Sequence, residues 1–406
     1  MAVTTQPEVL GPQHRRNFGL LWSAATISSV GDGAYAAAGP LFAAFLTKDP
    51  LAVSIVAAAS TAPWFLVTPW SGAVVDRVSR RAVIVLADGI RAVCLLAFIA
   101  LIVTNTASIA ALAATSFMIV TGKVFGDAAA QALVPHVVGR ETAALSRANG
   151  RIYAAETAGQ SLAGPPLGGL LFSISPWLPF ALDAASFATS AALVKQLPGD
   201  VPSPTNGQRL WTAIKEGFRY LVTDRALVTL SVAVSAFNIG YNMAAASLVL
   251  FATEKLGVTE FGFGLLLAAS ACGAVVLGWL ASPIVRHLNP GGSIVVAIAA
   301  EAAAWLWVAW SGSPWIAAGA FVLLGASTTL VTVAAVTARQ RAVPDHLLGR
   351  VVTAFRLIGN GVAPLGAVVG GVVAHQWGLS TPLVLASAFL LVALLALFIP
   401  LLRSAR

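Results

Sequence analysis

The sequence predicts an all-α membrane protein with about twelve transmembrane helices in two six-helix bundles. Three observations predict this class. Hydrophobic residues make up 58% of the 406-residue chain and charged residues only 10%, whereas an ordinary soluble domain carries about 25% charged residues. Apolar runs of roughly 20 residues, the length that crosses a hydrocarbon core, recur from Phe18 almost to the C-terminus. The connections between these runs alternate between basic and nearly uncharged.

Each predicted span is one of these apolar runs, in order along the chain. The spans cover approximately residues 18–46, 51–75, 82–104, 107–134, 143–173, 177–197, 226–254, 258–285, 291–310, 314–341, 347–375 and 380–402. A Pro-, Gly- and polar-rich segment then separates an N-terminal bundle, 1–197, from a C-terminal bundle, 226–406. Within this linker, 198–225, the apolar spacing predicts an amphipathic helix on the cytoplasmic face, with an ordinary solvated connector helix as the alternative.

The distribution of positive charge predicts the orientation of these spans. Lysine and arginine concentrate in every second connection, as in Arg77, Arg80, Arg81, Arg140, Arg147, Arg209, Lys215, Arg219, Arg286, Arg339, Arg341 and Arg350. The alternate connections TNTAS, SISPW and SGSP carry none. Because cytoplasmic loops hold the excess of such residues, both termini are expected in the cytoplasm and the protein in the cytoplasmic membrane. The net charge of +8 then reflects topology, so the expected partner surface is a lipid bilayer and not nucleic acid.

Cysteine and histidine usage gives no indication of a metal, a cofactor or a catalytic centre. Cys94 and Cys272 both fall inside predicted spans and are far apart in sequence, and the five histidines are scattered. The chain also lacks a nucleotide-binding P-loop pattern. We therefore expect a protein that is not an enzyme and that needs no cofactor and no metal.

The connection after the second span concentrates charge in an otherwise apolar chain. Its sequence, SGAVVDRVSRR, follows the pattern Gly-x-x-x-Asp-Arg-x-x-Arg-Arg with Gly72, Asp76, Arg77, Arg80 and Arg81. A shift of 206 residues places Gly72 on Gly278 and Arg80 on Arg286, and ALVPHVVGRE at 132–141 is similar to AVPDHLLGRV at 342–351. These offsets favour two related halves of the same orientation.

This charged pattern resembles the most specific signature of the major facilitator superfamily, and the resemblance covers essentially the whole chain. The phrases LVPHVVGRETAALSRANG and PFALDAASFATS are similar to its bacterial macrolide-efflux, Tap-like and enterobactin-exporter-like branch. The resemblance implies a monomeric secondary transporter that exports a hydrophobic or amphipathic small molecule, such as a drug or antibiotic, in exchange for protons. It also implies that the charged loop helps to lock the outward-facing state. An importer or uniporter of a small metabolite, and a transporter-like sensor without flux, remain the alternatives.

A second family motif marks proton-coupled exporters and lies on the fifth helix of the family. Gly164, Pro165, Gly168 and Gly169 match its ending, whereas Gln160 stands where the preceding glycine is expected. The resemblance therefore favours export by proton antiport. Small residues at this spacing also permit close helix contact in membranes, which is the alternative.

Charged residues inside predicted spans are the candidates for proton coupling, because a charge near the bilayer centre is costly. Asp32 lies between two glycines on the first span, Lys123 on the fourth and Glu156 on the fifth. The resemblance places the first and fourth helices around a central cavity. Two structural alternatives remain: a neutralising pair of Asp32 with Lys123, and a static brace of Glu156 with Arg91 or Arg151.

Four other charged residues are predicted to be structural or to act in gating. Asp88 and Arg91 are three residues apart and therefore neighbours on one helix face. Asp127 lies near the inner end of the fourth span and is predicted to bind the basic loop. Glu301 lies mid-span on a helix that the family places at the periphery. A set of tryptophans follows it and predicts an interfacial belt: Trp305, Trp307, Trp310 and Trp315.

Polar and aromatic residues on the first, seventh and tenth spans are the candidates for substrate contact. They are Asp32, Tyr35, Phe237, Asn238, Tyr241, Asn242, Thr328 and Thr332. Hydrogen-bonding groups beside aromatic rings suit a large amphipathic substrate held by few polar contacts. The alternative is that these groups hold neighbouring helices together.

Overall fold

The computed structural model describes residues 12–139, 141–199 and 210–403, and every regular element within these ranges is helical. The N-terminal half contains α1 (Pro12–Leu46), α2 (Pro50–Leu66), α3 (Thr68–Arg77), α4 (Arg80–Val103), α5 (Ile109–Val138), α6 (Thr142–Thr157), α7 (Gly164–Ile174) and α8 (Leu178–Val194). The C-terminal half contains α9 (Leu210–Thr223), α10 (Arg225–Ala245), α11 (Leu248–Leu250), α12 (Glu260–Trp310), α13 (Pro314–Ala342), α14 (Asp345–Gly361), α15 (Ala363–Trp377) and α16 (Thr381–Arg403). Two π-helical turns interrupt these series, Ala158–Ala163 and Phe251–Lys255.

Local sequence explains where several helices begin and end. The Ser108 side chain accepts a hydrogen bond from a backbone N–H in the first turn of α5, and Asp224 and Thr259 do the same for α10 and α12. Such caps satisfy donors that a helix start leaves without an intrahelical partner. Gly139 and Gly378 follow α5 and α15 with φ of 84° and 91°, a conformation that glycine adopts without a Cβ clash.

The all-helical membrane class is confirmed, but the count of twelve spans is not. Seven of the described helices are long and apolar enough to cross a membrane, and eight if the bent pair α2 and α3 is one span. That pair bends by 49° beside Pro69, which lacks a backbone N–H for the helix ladder. The segment α12 covers the two predicted spans 258–285 and 291–310, and its backbone is non-helical at Asn289, between them, where φ is 56°.

The outer surface of the helices is apolar. Large side chains with more than half of their surface exposed include Leu86 (65%), Val93 (65%), Trp279 (85%) and Leu395 (79%). Exposed apolar surface of this extent is unfavourable in water and favourable in lipid. Inside the N-terminal half, Phe42, Phe98 and Phe180 pack edge to face with ring centroids 5.3–5.6 Å apart. The helices therefore expose apolar side chains on the outer surface and also pack apolar side chains against one another.

The predicted linker contains the helix α9. Its Leu221 is buried and its Phe218 is half exposed, and the Tyr220 hydroxyl donates a hydrogen bond to the Ala342 carbonyl at 3.1 Å. Glu216 also forms an ion pair with Arg350 of α14. These contacts attach α9 to the C-terminal half. Residues 200–209 of the linker, and the side chains of Leu210, Trp211 and Ile214, lie outside the described part of the chain.

The two halves pack against each other at the end of the molecule where α1 ends and α2 begins. A Cβ built on Gly264 of α12 would lie 2.3 Å from the Pro165 carbonyl oxygen of α7, so these backbones meet without a side chain between them. Two contacts join the halves here: an ion pair of Lys48 with Glu254 at 3.6 Å, and a hydrogen bond between His375 Nδ1 and Asp49 Oδ1 at 2.8 Å, which is also an ion pair when His375 is protonated. We call this the closed end, and we call the end that carries α9 the linker end.

The Asp49–His375 contact predicts a pH dependence of the closed end. Asp49 lies between α1 and α2, outside the membrane-spanning helices; partial burial raises its pKa, but hydrogen bonds from His375 and the Leu51 N–H outweigh this and lower the pKa. A carboxylate with a lowered pKa contributes stability above its ordinary pKa of about 3.9 and loses it as the pH falls through the lowered value. We therefore expect acid below about pH 4 to weaken the closed end.

Spin labels on cysteines that replace Trp177 and Trp377, which lie at the closed end on different halves, measure this effect. The distance between the labels is expected to lengthen on acidification from about pH 6 to about pH 3 in the parent protein. The Asp49→Asn variant is expected to show a smaller change, because its carboxylate contact at this end is then that of Glu254 with Lys48. An equal change in both proteins would contradict the role of Asp49.

Candidate functional site

The site is built around Asp32, whose burial depends on the glycines beside it. A Cβ on Gly31 would lie 2.2 Å from the Ser186 hydroxyl of α8, and one on Gly33 would lie 2.6 Å from the Gln160 carbonyl oxygen. Both glycines therefore let α1 pack closely against its neighbours. Asp32, between them, is 8% exposed. A carboxylate at such a position needs partners, because burying an unpaired charge is costly.

Two cations supply these partners. Lys123 Nζ lies 2.9 Å from Asp32 Oδ2, and Arg91 pairs with Asp32 Oδ1. Arg91 also lies 3.4 Å from Asp88 Oδ1 and 3.6 Å above the Phe187 ring. The predicted pair of Asp88 with Arg91 is present, and so is the pair of Asp32 with Lys123 that is the structural alternative to proton coupling. They form one network in place of two separate pairs, since Arg91 bridges Asp32 and Asp88.

The network extends toward the linker end through Asp127. Asp127 Oδ1 lies 3.8 Å from Lys123 Nζ, so this ammonium group has a carboxylate on either side. A small cavity of about 70 Å³ is lined by Asp32, Lys123, Asp127 and Glu156 among other residues. Lys123 therefore connects the buried carboxylate to a group that is 40% exposed.

Glu156 lies beside this network without joining it. Its side chain is half buried and makes no ion pair or hydrogen bond with the described part of the chain. The static brace considered for it is not observed. Arg91 is held by Asp32 and Asp88, and Arg151 lies 5.7 Å from the Phe18 ring. Glu156 stays a candidate for proton coupling because of its position on the wall of the small cavity.

Asp183 is a buried carboxyl near the network that the sequence analysis did not single out. It is fully buried on α8, and its Oδ1 accepts a hydrogen bond from the Ser186 hydroxyl at 3.2 Å. Its Oδ2 has no hydrogen-bond partner among the described residues. A signal was available, because Asp183 is an acidic residue inside a predicted span.

Two larger cavities lie between the halves and divide the predicted substrate contacts between them. The linker-end cavity, about 590 Å³, is lined by residues that include Trp64, Asp127, Phe237, Asn238, Thr328, Thr332, Arg339, Phe355 and Arg356. The central cavity, about 320 Å³, is lined by residues that include Asp32, Tyr35, Ser116, Lys123, Gln160 and Tyr241. Asn242 lines neither cavity, and its Nδ2 donates to the Asn238 carbonyl oxygen at 2.9 Å within α10.

Two of the polar candidates are also held by neighbouring helices. The Tyr35 hydroxyl is 2.7 Å from the Ser116 hydroxyl, and Asn238 Nδ2 donates to the Gly359 carbonyl oxygen at 2.9 Å. The substrate-contact interpretation and the helix-bonding alternative therefore apply to the same side chains. Their positions on cavity walls leave both open.

Arg339 was placed among the basic connections by its sequence position, and the structure corrects this. It is 8% exposed and lines the linker-end cavity, with its guanidinium 4.1 Å above the Phe355 ring. Arg356 lines the same cavity and lies within a predicted span, which was a usable signal. Arg341, two residues beyond Arg339, is exposed as expected.

Residues 8–405 match the family described as transmembrane secretion effectors, MFS_3. The chain belongs to this family of major facilitator transporters. It is 26% identical over 396 residues to the multidrug efflux pump Tap of Mycolicibacterium fortuitum, a match that covers 95% of this chain and 96% of Tap. The predicted family is therefore confirmed.

Solved structures show the same fold at low sequence identity. One is a variant of the nucleoside transporter NupG, with a TM-score of 0.78 and 13% identity over 95% of this chain and 99% of that chain. Another is a bacterial homologue of the iron transporter ferroportin in an inward-facing state, with a TM-score of 0.75 and 15% identity over 97% and 99%. Both confirm the major facilitator fold.

The family's loop motif is attached to the N-terminal half through its arginines. Arg80 Nη1 lies 3.4 Å from His136 Nε2, and Arg81 Nη1 donates to the Leu197 carbonyl oxygen at 2.6 Å. Arg77 and Gly72 are exposed. The side chain of Asp76 lies outside those that the structure describes.

The glycine motif of this major facilitator transporter makes close backbone contacts. Cβ atoms on Gly164 and Gly168 would lie 2.5 Å and 2.3 Å from the backbone of Gly33 and Ala34 in α1. One on Gly169 would lie 2.3 Å from the Glu260 carbonyl oxygen of the other half. This geometry agrees with the alternative that the small residues of the motif permit close helix contact. Gly159 and Gln160 lie in the π-helical turn that precedes the motif.

Glu301 is fully buried in the C-terminal half. Its two carboxyl oxygens accept hydrogen bonds from Trp305 Nε1, at 2.7 Å, and from the Ser327 hydroxyl. The prediction that Trp305 belongs to an interfacial belt is wrong, because its indole is buried to reach Glu301. Three tryptophans of the predicted belt are exposed: Trp307, Trp310 and Trp315.

Proposed function

We propose that this transporter exports amphipathic small molecules in exchange for protons. The observation that carries the proposal is the Asp32 network, a buried carboxylate between two cations on the wall of the central cavity. Its similarity to the multidrug efflux pump Tap supports the direction of transport. No cofactor or metal enters the proposed cycle, and a monomer contains all the groups that it uses.

In the proposed cycle, Asp32 alternates between a paired carboxylate and a protonated acid. Protonation removes its charge and with it most of the attraction for Lys123, because a neutral acid offers only hydrogen bonds. Asp127, already 3.8 Å from the ammonium group, then becomes the stronger partner. Since Asp127 also lines the linker-end cavity, a proton at Asp32 changes the charge that faces the substrate. Glu156, on the small cavity of the same network, is the proposed second proton carrier.

Alternating access follows if the two halves rock about these cavities. We assign the linker end to the cytoplasm, with both termini on that side of the cytoplasmic membrane, because the basic connections gather there. The N-terminal half, through 197, and the C-terminal half, from 226, would move as bodies joined by the linker. Substrate then enters the linker-end cavity from the cytoplasm, and release requires the contacts at the closed end to separate.

Proton movement in pyranine-loaded proteoliposomes tests this proposal. Dansylamide, dansylate and ethidium serve as neutral, anionic and cationic amphipathic probes under an imposed pH gradient. Each probe that is transported is expected to drive a proton flux in the opposite direction, absent from protein-free liposomes. Transport of a probe with no accompanying proton flux would contradict antiport. Accumulation of a probe on the side toward which protons flow would favour an importer.

The charged loop is proposed to lock the outward-facing state, which gives a separate prediction. Asp76→Asn removes a carboxylate while keeping a similar shape, so we expect transport to fall by roughly tenfold with insertion and topology unchanged. Vesicle transport at matched expression measures this. Asp224→Asn is the matched control, because Asn also caps a helix and Asp224 caps α10 away from both cavities. Equal activity of both variants would remove the loop from gating.

A further inference from the structure

The linker-end cavity carries an excess of positive charge on one wall. Three of its lining residues are charged: Asp127 belongs to the N-terminal half, and Arg339 and Arg356 belong to the C-terminal half. Asp127 is already engaged by Lys123. Neither arginine forms an ion pair with a carboxylate in the part of the chain that the structure describes.

Arg339 is the less satisfied of the two arginines. It is more than nine-tenths buried, and its Nε has no hydrogen-bond partner among the described residues. The Phe355 ring, 4.1 Å from the guanidinium carbon, offers a cation–π contact, which leaves the Nε donor without a hydrogen-bond acceptor among the described residues. A buried cation in this state is unfavourable unless an anion or strong acceptor reaches it.

The chemistry of the two side chains defines what fits. A guanidinium donates from a planar fork that matches the oxygens of a carboxylate, sulfonate or phosphate. The same cavity offers apolar aromatic surface at Trp64 and Phe237 and uncharged polar groups at Asn238 and Thr328. An acidic group at one end and an apolar body at the other would use both parts of the wall.

We propose that the linker-end cavity is a binding site for amphipathic organic anions, with the acidic group between Arg339 and Arg356 and the apolar body against Trp64 and Phe237. This inference rests on the proposed function, since it names the charge class of the substrate. Gating is the competing role of the arginines: they would pair with acidic residues of the other half when the linker end closes. In that role they would not distinguish an anionic ligand from a neutral one.

Equilibrium binding to the full chain in lipid nanodiscs tests the site without any gradient. Dansylate and dansylamide share a ring system and differ in the presence of one negative charge. We expect dansylate to bind, and Arg339→Gln and Arg356→Gln each to weaken it by roughly tenfold or more, as the loss of a charge-assisted hydrogen bond implies. Dansylamide binding is expected to change by less than about twofold, and Arg339→Lys, which keeps the charge, to retain part of the dansylate affinity.

Arg341→Gln is the matched control, because it makes the same change on the same helix at an exposed position outside the cavity. If Arg339→Gln does not fold, Arg356→Gln decides, since its side chain is exposed to the cavity. Dansylate binding no greater than to empty nanodiscs would overturn the proposal, as would an equal loss of both probes. If the anion site is overturned but ethidium efflux is still coupled to protons, the proposed export function stands. If dansylate binds as expected but no proton flux accompanies transport, only the proton coupling is overturned.

Discussion

Replacement of Asp32 by Asn is expected to abolish proton-coupled transport and to lower the free energy of unfolding by about 3–5 kcal/mol. The variant removes the carboxylate that lies between Lys123 and Arg91, so buried Arg91 and partly buried Lys123 lose their shared counterion. Breaking a buried pair from one side is costly because the remaining charge stays desolvated. Proton flux in vesicles and thermal unfolding in detergent measure the two effects.

A second substitution separates the two effects. In the double variant Asp32→Asn/Lys123→Gln the net charge of the network returns to its parental value, so we expect part of the stability to return. Transport is not expected to return, because no group that binds a proton is restored. Asp224→Asn again serves as the control for the change from Asp to Asn. Proton flux of parental size in Asp32→Asn would refute the assignment of Asp32 as a proton carrier.

Addition of a single methyl group at Gly264 is expected to shift the protein away from the observed state. In Gly264→Ala the new Cβ would lie 2.3 Å from the Pro165 carbonyl oxygen, and backbone on both sides leaves little room to yield. Overpacking of this kind destabilises a packed contact by about 1–3 kcal/mol. The destabilisation applies only to the state in which the closed end is closed, because Gly264 and Pro165 belong to different halves. The equilibrium should therefore shift by roughly 5- to 150-fold toward the state in which the two halves separate at the closed end.

Pulsed electron paramagnetic resonance with labels at positions 177 and 377 measures this shift, after Cys94 and Cys272 have been replaced. Gly278→Ala is the matched control, since Gly278 lies on the same helix with no atom within 4 Å of a built Cβ. It gains about 1 kcal/mol of helix propensity, as the other variant does, without the clash. Identical distance distributions in Gly264→Ala and Gly278→Ala would show that this glycine does not limit closure.

The sequence located charged residues in the membrane better than it located their partners. Asp32 and Lys123 stand out because charge is costly in an apolar span, and that rule needs no three-dimensional information. The role of Arg91 as a bridge depends on how α1, α4 and α5 meet, and spacing within α4 reveals only Asp88. Arg339 illustrates the converse limit: it stands two residues before exposed Arg341, and a charge count treats both as loop residues.

The sequence does not predict the bend inside the second span, because the φ and ψ values between α2 and α3 are not encoded in an apolar run. The kink at Asn289, by contrast, falls between the predicted spans 258–285 and 291–310. Trp305 was assigned to the membrane surface because tryptophan prefers that region. Trp305 is buried instead, because the Glu301 carboxylate, four residues earlier, accepts a hydrogen bond from its indole N–H inside the protein.

The position of Lys123 between two carboxylates has an electrical consequence. Its ammonium group lies 3.8 Å from Asp127, so a shift of about 1 Å in a hydrocarbon core of roughly 30 Å transfers it, and this shift senses about a thirtieth of the membrane potential. That amounts to about 0.1 kcal/mol per 100 mV, which is below thermal energy. The voltage dependence of transport therefore reports the charge carried per cycle. Exchange of one proton for one exported anion moves two charges in the same electrical direction, whereas exchange for a cation moves none.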